Sequence, residues 1–261
     1  MLLCLCNEKG GVAKTTSAIQ IASLLADRKS KTLVLDIDPQ GHCALGLGLR
    51  PVSGEATIFD VLVGHVSINQ AIKELSGYLH ILPATKKLAQ STSIIQGQPG
   101  ADQVLAEVIK PIRQEYDYII VDSPPNLGIL TLNALAASDY VLIPIVPQLF
   151  PLQGFAKIKQ TIALMKKRTN PKLEIVGVLP TLLEGTNIMG DVMNVLNQEF
   201  ESDPEGILGS LFPAIPKSTK YAEAQAAGKP LQHYLGKKQD NSKLLAGYKA
   251  VVQELLELDR G

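Results

Sequence analysis

The chain has 261 residues, 46% of them apolar and 19% charged, and its 25 basic and 25 acidic side chains cancel. A globular protein of this size buries about three quarters of the surface its unfolded chain exposes. Zero net charge excludes a polycation, so any affinity for nucleic acid or membrane must come from a local patch, or from patches added together by oligomerisation.

In chain order, apolar runs rich in Val, Ile and Leu alternate with helical patterns. Leu2–Cys6, Lys31–Asp36, Tyr78–Pro83, Tyr118–Val121, Val141–Ile145 and Leu173–Leu179 read as buried strands, with Leu211–Ile215 a weaker one. Ser17–Arg28, Asp102–Gln114, Leu127–Ala137, Leu152–Arg168, Ile188–Phe200, Tyr221–Ala227 and Lys243–Leu258 read as helices. Strands apolar on both faces that alternate with helices predict an α/β fold: a mostly parallel twisted sheet of about seven or eight strands, covered on both sides. Thr85–Asp102 and Ser202–Gly206 read as loose segments rather than linkers, so a single domain over 1–261 is expected. The cysteines Cys4, Cys6 and Cys43 lack zinc spacing or an even disulfide framework and read as buried thiols, with Cys4 and Cys6 on one face of their strand. No apolar run is long enough to span a bilayer and the apolar start is too short for a signal peptide, which predicts a cytoplasmic protein.

The first strand leads into Lys9-Gly10-Gly11-Val12-Ala13-Lys14-Thr15-Thr16, and a helix follows. Strand, glycine-rich loop and helix are the context in which backbone N–H groups and a helix N-terminus cradle phosphates. In that reading Lys14 reaches the terminal phosphates and the Thr15 hydroxyl ligates Mg²⁺, whereas Lys9 is a second cation on the wrong side for a one-lysine loop. Leu33–Gly41 is an apolar strand ending in Asp36 and Asp38, which alternation puts on one side. Near a phosphate loop, one of these acids would help hold Mg²⁺ through water and the other would position an attacking water; read alone, Asp38-Pro39 is also an ordinary turn start. A second buried strand ends in Asp122, an acid that is costly to bury without a cation or hydrogen bonds, and the Mg²⁺ shell is its natural partner.

KGGVAKTT, DIDPQG and YDYIIVDSPPNLGILTLNAL together resemble the signature segments of the ParA family of deviant-Walker P-loop ATPases, relatives of MinD. The likeness runs on through Val141–Gly154 and returns at Ile215-Pro216-Lys217-Ser218-Thr219-Lys220-Tyr221. It implies the P-loop NTPase fold, ATP and Mg²⁺ as ligands, and a short form without an N-terminal DNA-binding domain. By position it implies Asn7 at the head of an ATP-binding loop that includes Gly10, Gly11, Val12, Ala13, Lys14, Thr15 and Thr16, with Pro216 also beside the nucleotide. Lys9 is implied to cross a dimer interface to the partner's ATP, Asp38 to serve hydrolysis with Asp36 beside it, and Asp122 to be the Walker B acid. The resemblance further implies an ATP-dependent homodimer, nonspecific nucleoid DNA binding through Lys217, Lys220 and Lys243, with Lys237, Lys238 and Lys249 extending the patch, and a ParB-like or McdB-like adaptor that stimulates hydrolysis. The cargo stays open between a plasmid or chromosome and a protein body such as a carboxysome, as in McdA-type members.

Three departures from the family pattern stand out. Ala13 replaces a glycine, a change expected to be tolerated if the residue keeps a negative φ. Gly185 stands where an arginine often contributes to DNA binding, and Val146-Pro147-Gln148 and Gln153 alter a Gln-x-Glu pattern. The alternative reading of these lysines is as solvated helix charges. The C-terminal helix reads as core-packed rather than as a MinD-like membrane anchor, because Glu254, Glu257 and Asp259 in its last turns would be repelled by anionic lipid. The alternatives are a metabolic P-loop ligase or kinase and a non-hydrolysing ATP-dependent scaffold.

Overall fold

The structure, a computed structural model, describes residues 1–50, 52–147, 151–185, 187–203, 207–236 and 242–260, with side chains described for these except 151–155, 187, 188 and 242. Gln148, Thr186, Lys237, Lys238 and the side chain of Gln153 therefore lie outside the described residues.

The strands are β1 (Leu2–Leu5), β2 (Thr32–Asp36), β3 (Lys73–Ser76), β4 (Leu79–Leu82), β5 (Tyr118–Asp122), β6 (Tyr140–Ile145), β7 (Glu174–Pro180) and β8 (Ser210–Leu211). They form one eight-stranded sheet in the order β3-β4-β2-β5-β1-β6-β7-β8. Every pairing is parallel except β3 with β4. The helices are α1 (Lys14–Asp27), α2 (His42–Gly46), α3 (Ile58–Leu62), α4 (Ile68–Ala71), α5 (Ser91–Gln96), α6 (Val104–Ile109), α7 (Ile129–Ala137), α8 (Pro151–Arg168), α9 (Asn187–Glu201), α10 (Thr219–Ala226), α11 (Leu231–Leu235) and α12 (Ser242–Leu258).

Strand alternation sorts the core into two layers. On β1, Leu2, Cys4 and the following Cys6 join the cluster that packs under α3, α6 and α7, whereas Leu3 and Leu5 join the cluster of α1, α10 and α12. Cys4 and Cys6 thus share a face as buried free thiols. The apolar stripe of α12, Leu245, Tyr248, Val251, Val252 and Leu255, is at most 2% exposed and packs beside α1. No helix among the described residues is long and apolar enough to cross a membrane.

Several expected elements change shape. The expected helix over Asp102–Gln114 is α6 followed by a 3₁₀ turn at Arg113–Glu115, because Pro111 cannot continue an α-helix and restricts the residue before it. The strand expected at Leu211–Ile215 shrinks to Ser210–Leu211, since Pro213 and Pro216 have no N–H to donate to a ladder. Thr85–Asp102 is not loose: it holds a 3₁₀ turn at Lys86–Gln90 and α5, pinned by the buried Leu88 and Ile95. The short α3 and α4 follow capping boxes, Thr57 with Asp60 and Ser67 with Gln70.

Register delivers the chemistry to one edge. Leu5 is level with Asp122 across β1–β5, and Asp36 is level with Asp122 across β2–β5. The loop after β1 and both buried acids therefore meet at the carboxyl ends of three adjacent strands, where open α/β sheets bind ligands.

Candidate active site

The loop turns on two left-handed residues, Gly11 at φ 73° and Ala13 at φ 60°, ψ 28°. A negative φ, the condition under which Ala13 is expected to be tolerated, is therefore not met. Ala13 precedes the first residue of α1, and its carbonyl accepts the Ser17 N–H at 2.8 Å. For a residue with a Cβ the left-handed conformation costs roughly 1–2 kcal/mol.

Lys14 is 7% exposed, and its Nζ donates to the carbonyls of Asn7 (3.1 Å) and Lys9 (2.9 Å). Burial lowers its pKa, opposed by the charge of Asp122. Asn7 is buried and braces the loop rather than facing the cleft: its Oδ1 accepts the Lys9 N–H at 3.0 Å and its Nδ2 donates to the Pro144 carbonyl at 2.7 Å. Thr181 stands behind the loop, its one hydroxyl proton shared between the carbonyls of Ile145 at 2.9 Å and of the buried Val12 at 3.2 Å. Lys9 itself is exposed.

The acids are tied in before any ligand is considered. Thr15 Oγ1 donates to Asp122 Oδ2 at 2.7 Å, which joins the two residues expected in the Mg²⁺ shell. Asp36, fully buried, accepts the backbone N–H of Asp38 (3.1 Å) and of Cys43 (3.1 Å). Asp38 is half-buried and accepts the Gln40 N–H at 2.9 Å. Burial pushes the carboxyl of Asp122 up to about 6 and that of Asp36 well above the carboxylate range, with Asp122 adding to the shift at Asp36.

Beside the loop lies a cleft of about 600 Å³ lined by Gly10, Gly11, Ala13–Thr16, Asp38, Gln40, His42, Leu45, Gly46, Pro125, Gln225 and Ala226. That is the volume of a small-molecule site. Buried Lys14, and an Asp122 carboxylate whose Oδ1 has no hydrogen-bond partner among the described residues, suit a phosphate–Mg²⁺ ligand. Asn7, Lys9, Val12, Asp36, Asp122 and Pro216 do not line the cleft. Pro216 instead pairs with Leu183 in an isolated bridge. The far wall, Gln225 and Ala226 of α10 with His42, Leu45 and Gly46 of α2, carried no sequence signal. Gln225 Nε2 donates to Thr16 Oγ1 at 3.0 Å and links α10 to the loop across 209 residues of chain. Cys43 was read only as a buried thiol, yet its Sγ lies 3.4 Å from Asp122 Oδ2.

Of the lysines expected to meet DNA, two are paired with acids. Lys217 pairs with Glu184, and Lys220 with Glu223 at 2.7 Å. Lys243 is exposed at the start of α12.

A glycine-rich loop between a central parallel strand and a helix, with a buried lysine, a threonine and a strand-end acid beside it, defines a P-loop NTPase. The family described as an AAA domain matches residues 1–175. The chain is 35% identical over 260 residues to the chromosome partitioning protein ParA of Myxococcus xanthus (strain DK1622), spanning 99% of this chain and 88% of that protein. It belongs to the ParA family of P-loop ATPases. Among solved structures, the ATP complex of Cyanothece McdA superposes with TM-score 0.86 over 97% of this chain and 95% of that one; at 23% identity this is a likeness of fold. The structure of cobyrinic acid a,c-diamide synthase from Mycobacterium smegmatis with bound ADP and magnesium is 31% identical, with TM-score 0.76 over 91% of this chain and 96% of that one.

Proposed function

We propose that this chain binds ATP with Mg²⁺ in the loop–α2–α10 cleft, dimerises around two nucleotides, binds nucleoid DNA without sequence preference, and positions a cargo until an adaptor stimulates hydrolysis. The observation that carries the reading is the division of labour between the two lysines. Lys14 is buried against the back of the loop, whereas Lys9 is exposed and outside the cleft lining. A cation placed so is suited to act on a nucleotide held by a second copy.

Lys14, the loop N–H groups and the N-terminus of α1 bind the phosphates. Thr15 and Asp122 would hold Mg²⁺, with Asp36 behind them, and the ion would supply charge neutralisation for the phosphates. Asp38 lines the cleft and keeps a carboxylate oxygen for the attacking water, while its other oxygen is fixed by the Gln40 N–H. Losing the γ-phosphate removes the charge that Lys9 compensates, which couples hydrolysis to dissociation. The partition proteins to which the chain is similar support a plasmid or chromosome as cargo, and McdA-like folds keep a protein body such as a carboxysome in view. A cytoplasmic, nucleoid-associated location follows from the same reading.

Sizing the protein by light scattering with and without Mg-ATP tests it. Wild type should be monomeric without nucleotide and dimeric with it. Lys9→Ala should stay monomeric at saturating ATP while ATP affinity falls by less than about tenfold. Asp38→Ala should bind ATP and accumulate as a dimer. A wild type that remains monomeric at saturating Mg-ATP overturns the reading. The 31% likeness to a synthase favours a second reading, an ATP-dependent amide-forming enzyme. Turnover that rises with DNA and adaptor, and not with a carboxylic acid and an amine donor, decides for partition.

A further inference from the structure

Cys43 has no part in the nucleotide chemistry described above, yet it is fully buried at the head of the two strand-end acids. Sγ of Cys43 and one carboxylate oxygen from each of Asp36 and Asp122 all lie within 4.8 Å of one another. Cys43 Sγ donates a hydrogen bond to Asp122 Oδ2 at 3.4 Å, and an ion bound to both atoms would take the place of that proton. Two ligands bound to one ion at the usual Zn–S and Zn–O lengths, in tetrahedral geometry, are about 3.6 Å apart. The carboxylate at this point also carries an independent mark. Asp122 is 1% exposed and its Oδ1 has no hydrogen-bond partner among the described residues. A buried carboxylate oxygen left unpaired is costly, and a cation is the partner that relieves it.

We propose that Asp36, Cys43 and Asp122 form a binding site for a thiophilic divalent metal ion of the Zn²⁺ class, with Cys43 as thiolate ligand, occupied without need of nucleotide. Mg²⁺ selects oxygen ligands and keeps its waters, so a thiolate adds nothing for it; sulfur beside two carboxylates selects the softer ion. On binding, the Cys43 S–H proton leaves to solvent and the Sγ–metal bond takes its place. The site shares Asp36 and Asp122 with the Mg²⁺ site of the nucleotide reading, and Cys43 is the ligand it adds; it does not depend on ATP binding.

The test is a titration of the full chain, reduced and stripped of metal, with Co²⁺ and with Cd²⁺ in the absence of nucleotide. Wild type should take up one ion per chain and develop a sulfur-to-metal charge-transfer band in the near ultraviolet. Cys43→Ser should lose the band and bind roughly tenfold or more weakly, and Asp36→Asn should weaken binding comparably. The Cys4→Ala/Cys6→Ala double variant should keep the band. Circular dichroism establishes that each variant is folded, and Cys43→Ala replaces Cys43→Ser if the serine variant is not. No band in wild type overturns the proposal, and so does a band that survives in Cys43→Ser. Mg-ATP affinity measured on the same samples separates the two readings: its absence alongside an intact Cd²⁺ band fails the nucleotide site alone.

Discussion

At the scale of single residues, the loop carries strain that its composition concealed. Ala13 at φ 60° occupies a conformation that glycine adopts freely. Ala13→Gly relieves roughly 1–2 kcal/mol of steric cost and gives back part of it as unfolded-chain entropy. The variant should be more stable by about 0.5–1 kcal/mol in urea unfolding, and an unchanged midpoint would contradict the left-handed geometry. The buried acids make a second prediction. Asp122, held up to about 6, and Asp36, also raised, bind protons more readily folded than unfolded. With folded pKa values above unfolded ones, this contribution to stability is fully present below about pH 4 and is lost as pH rises through about 6. Without divalent ions, wild-type stability relative to Asp122→Asn should therefore fall over that window, and parallel pH profiles of the two proteins would count against the pair.

At the scale of elements, the cleft's far wall depends on a contact between two turns distant in sequence. Gly48 (φ 81°) ends the α2 segment and Gly228 (φ 62°) ends α10, and a Cβ on Gly228 would lie 2.6 Å from the Gly48 Cα. Two backbones packed so closely set Gln225 against Thr16. Gly228→Ala should cost about 1–3 kcal/mol through overpacking and the left-handed φ. It should also weaken nucleotide binding by pushing α10 outward, measurable by calorimetric titration; unchanged affinity in a destabilised protein would place the nucleotide away from α10. The elements that sequence located best were the buried runs β1, β2, β5 and β6, because continuous apolar stretches bounded by polar residues, and a Lys-Thr loop, are local patterns. The short helices α2 and α11 and the antiparallel edge strand β3 were not legible. Their few residues carry too little periodicity, and their conformations are settled by what they pack against.

At the scale of the molecule, a chain of zero net charge must assemble any DNA affinity from few contacts. Lys217 and Lys220 are held by Glu184 and Glu223, so each must leave or share its carboxylate to reach a phosphate. If they serve that role, Glu184→Gln/Glu223→Gln should tighten binding to random-sequence DNA. Lys217→Ala/Lys220→Ala should weaken it and flatten the log–log salt slope by up to about 3.6 for a dimer, at about 0.9 for each of four contacts. An unchanged slope in both pairs would place the DNA surface elsewhere. Sequence by itself determined the family, the loop, the catalytic-acid candidates and the parallel α/β class, since these are written in contiguous residues whose spacing is the message. Only the tertiary structure decided which residues share the site. Strand register set Asp36 level with Asp122, and α2 brought Cys43 against them. A contact 209 residues long in sequence joined Gln225 to Thr16. Such neighbours are chosen by the packing of the whole sheet and its helices, which no local pattern of residues encodes.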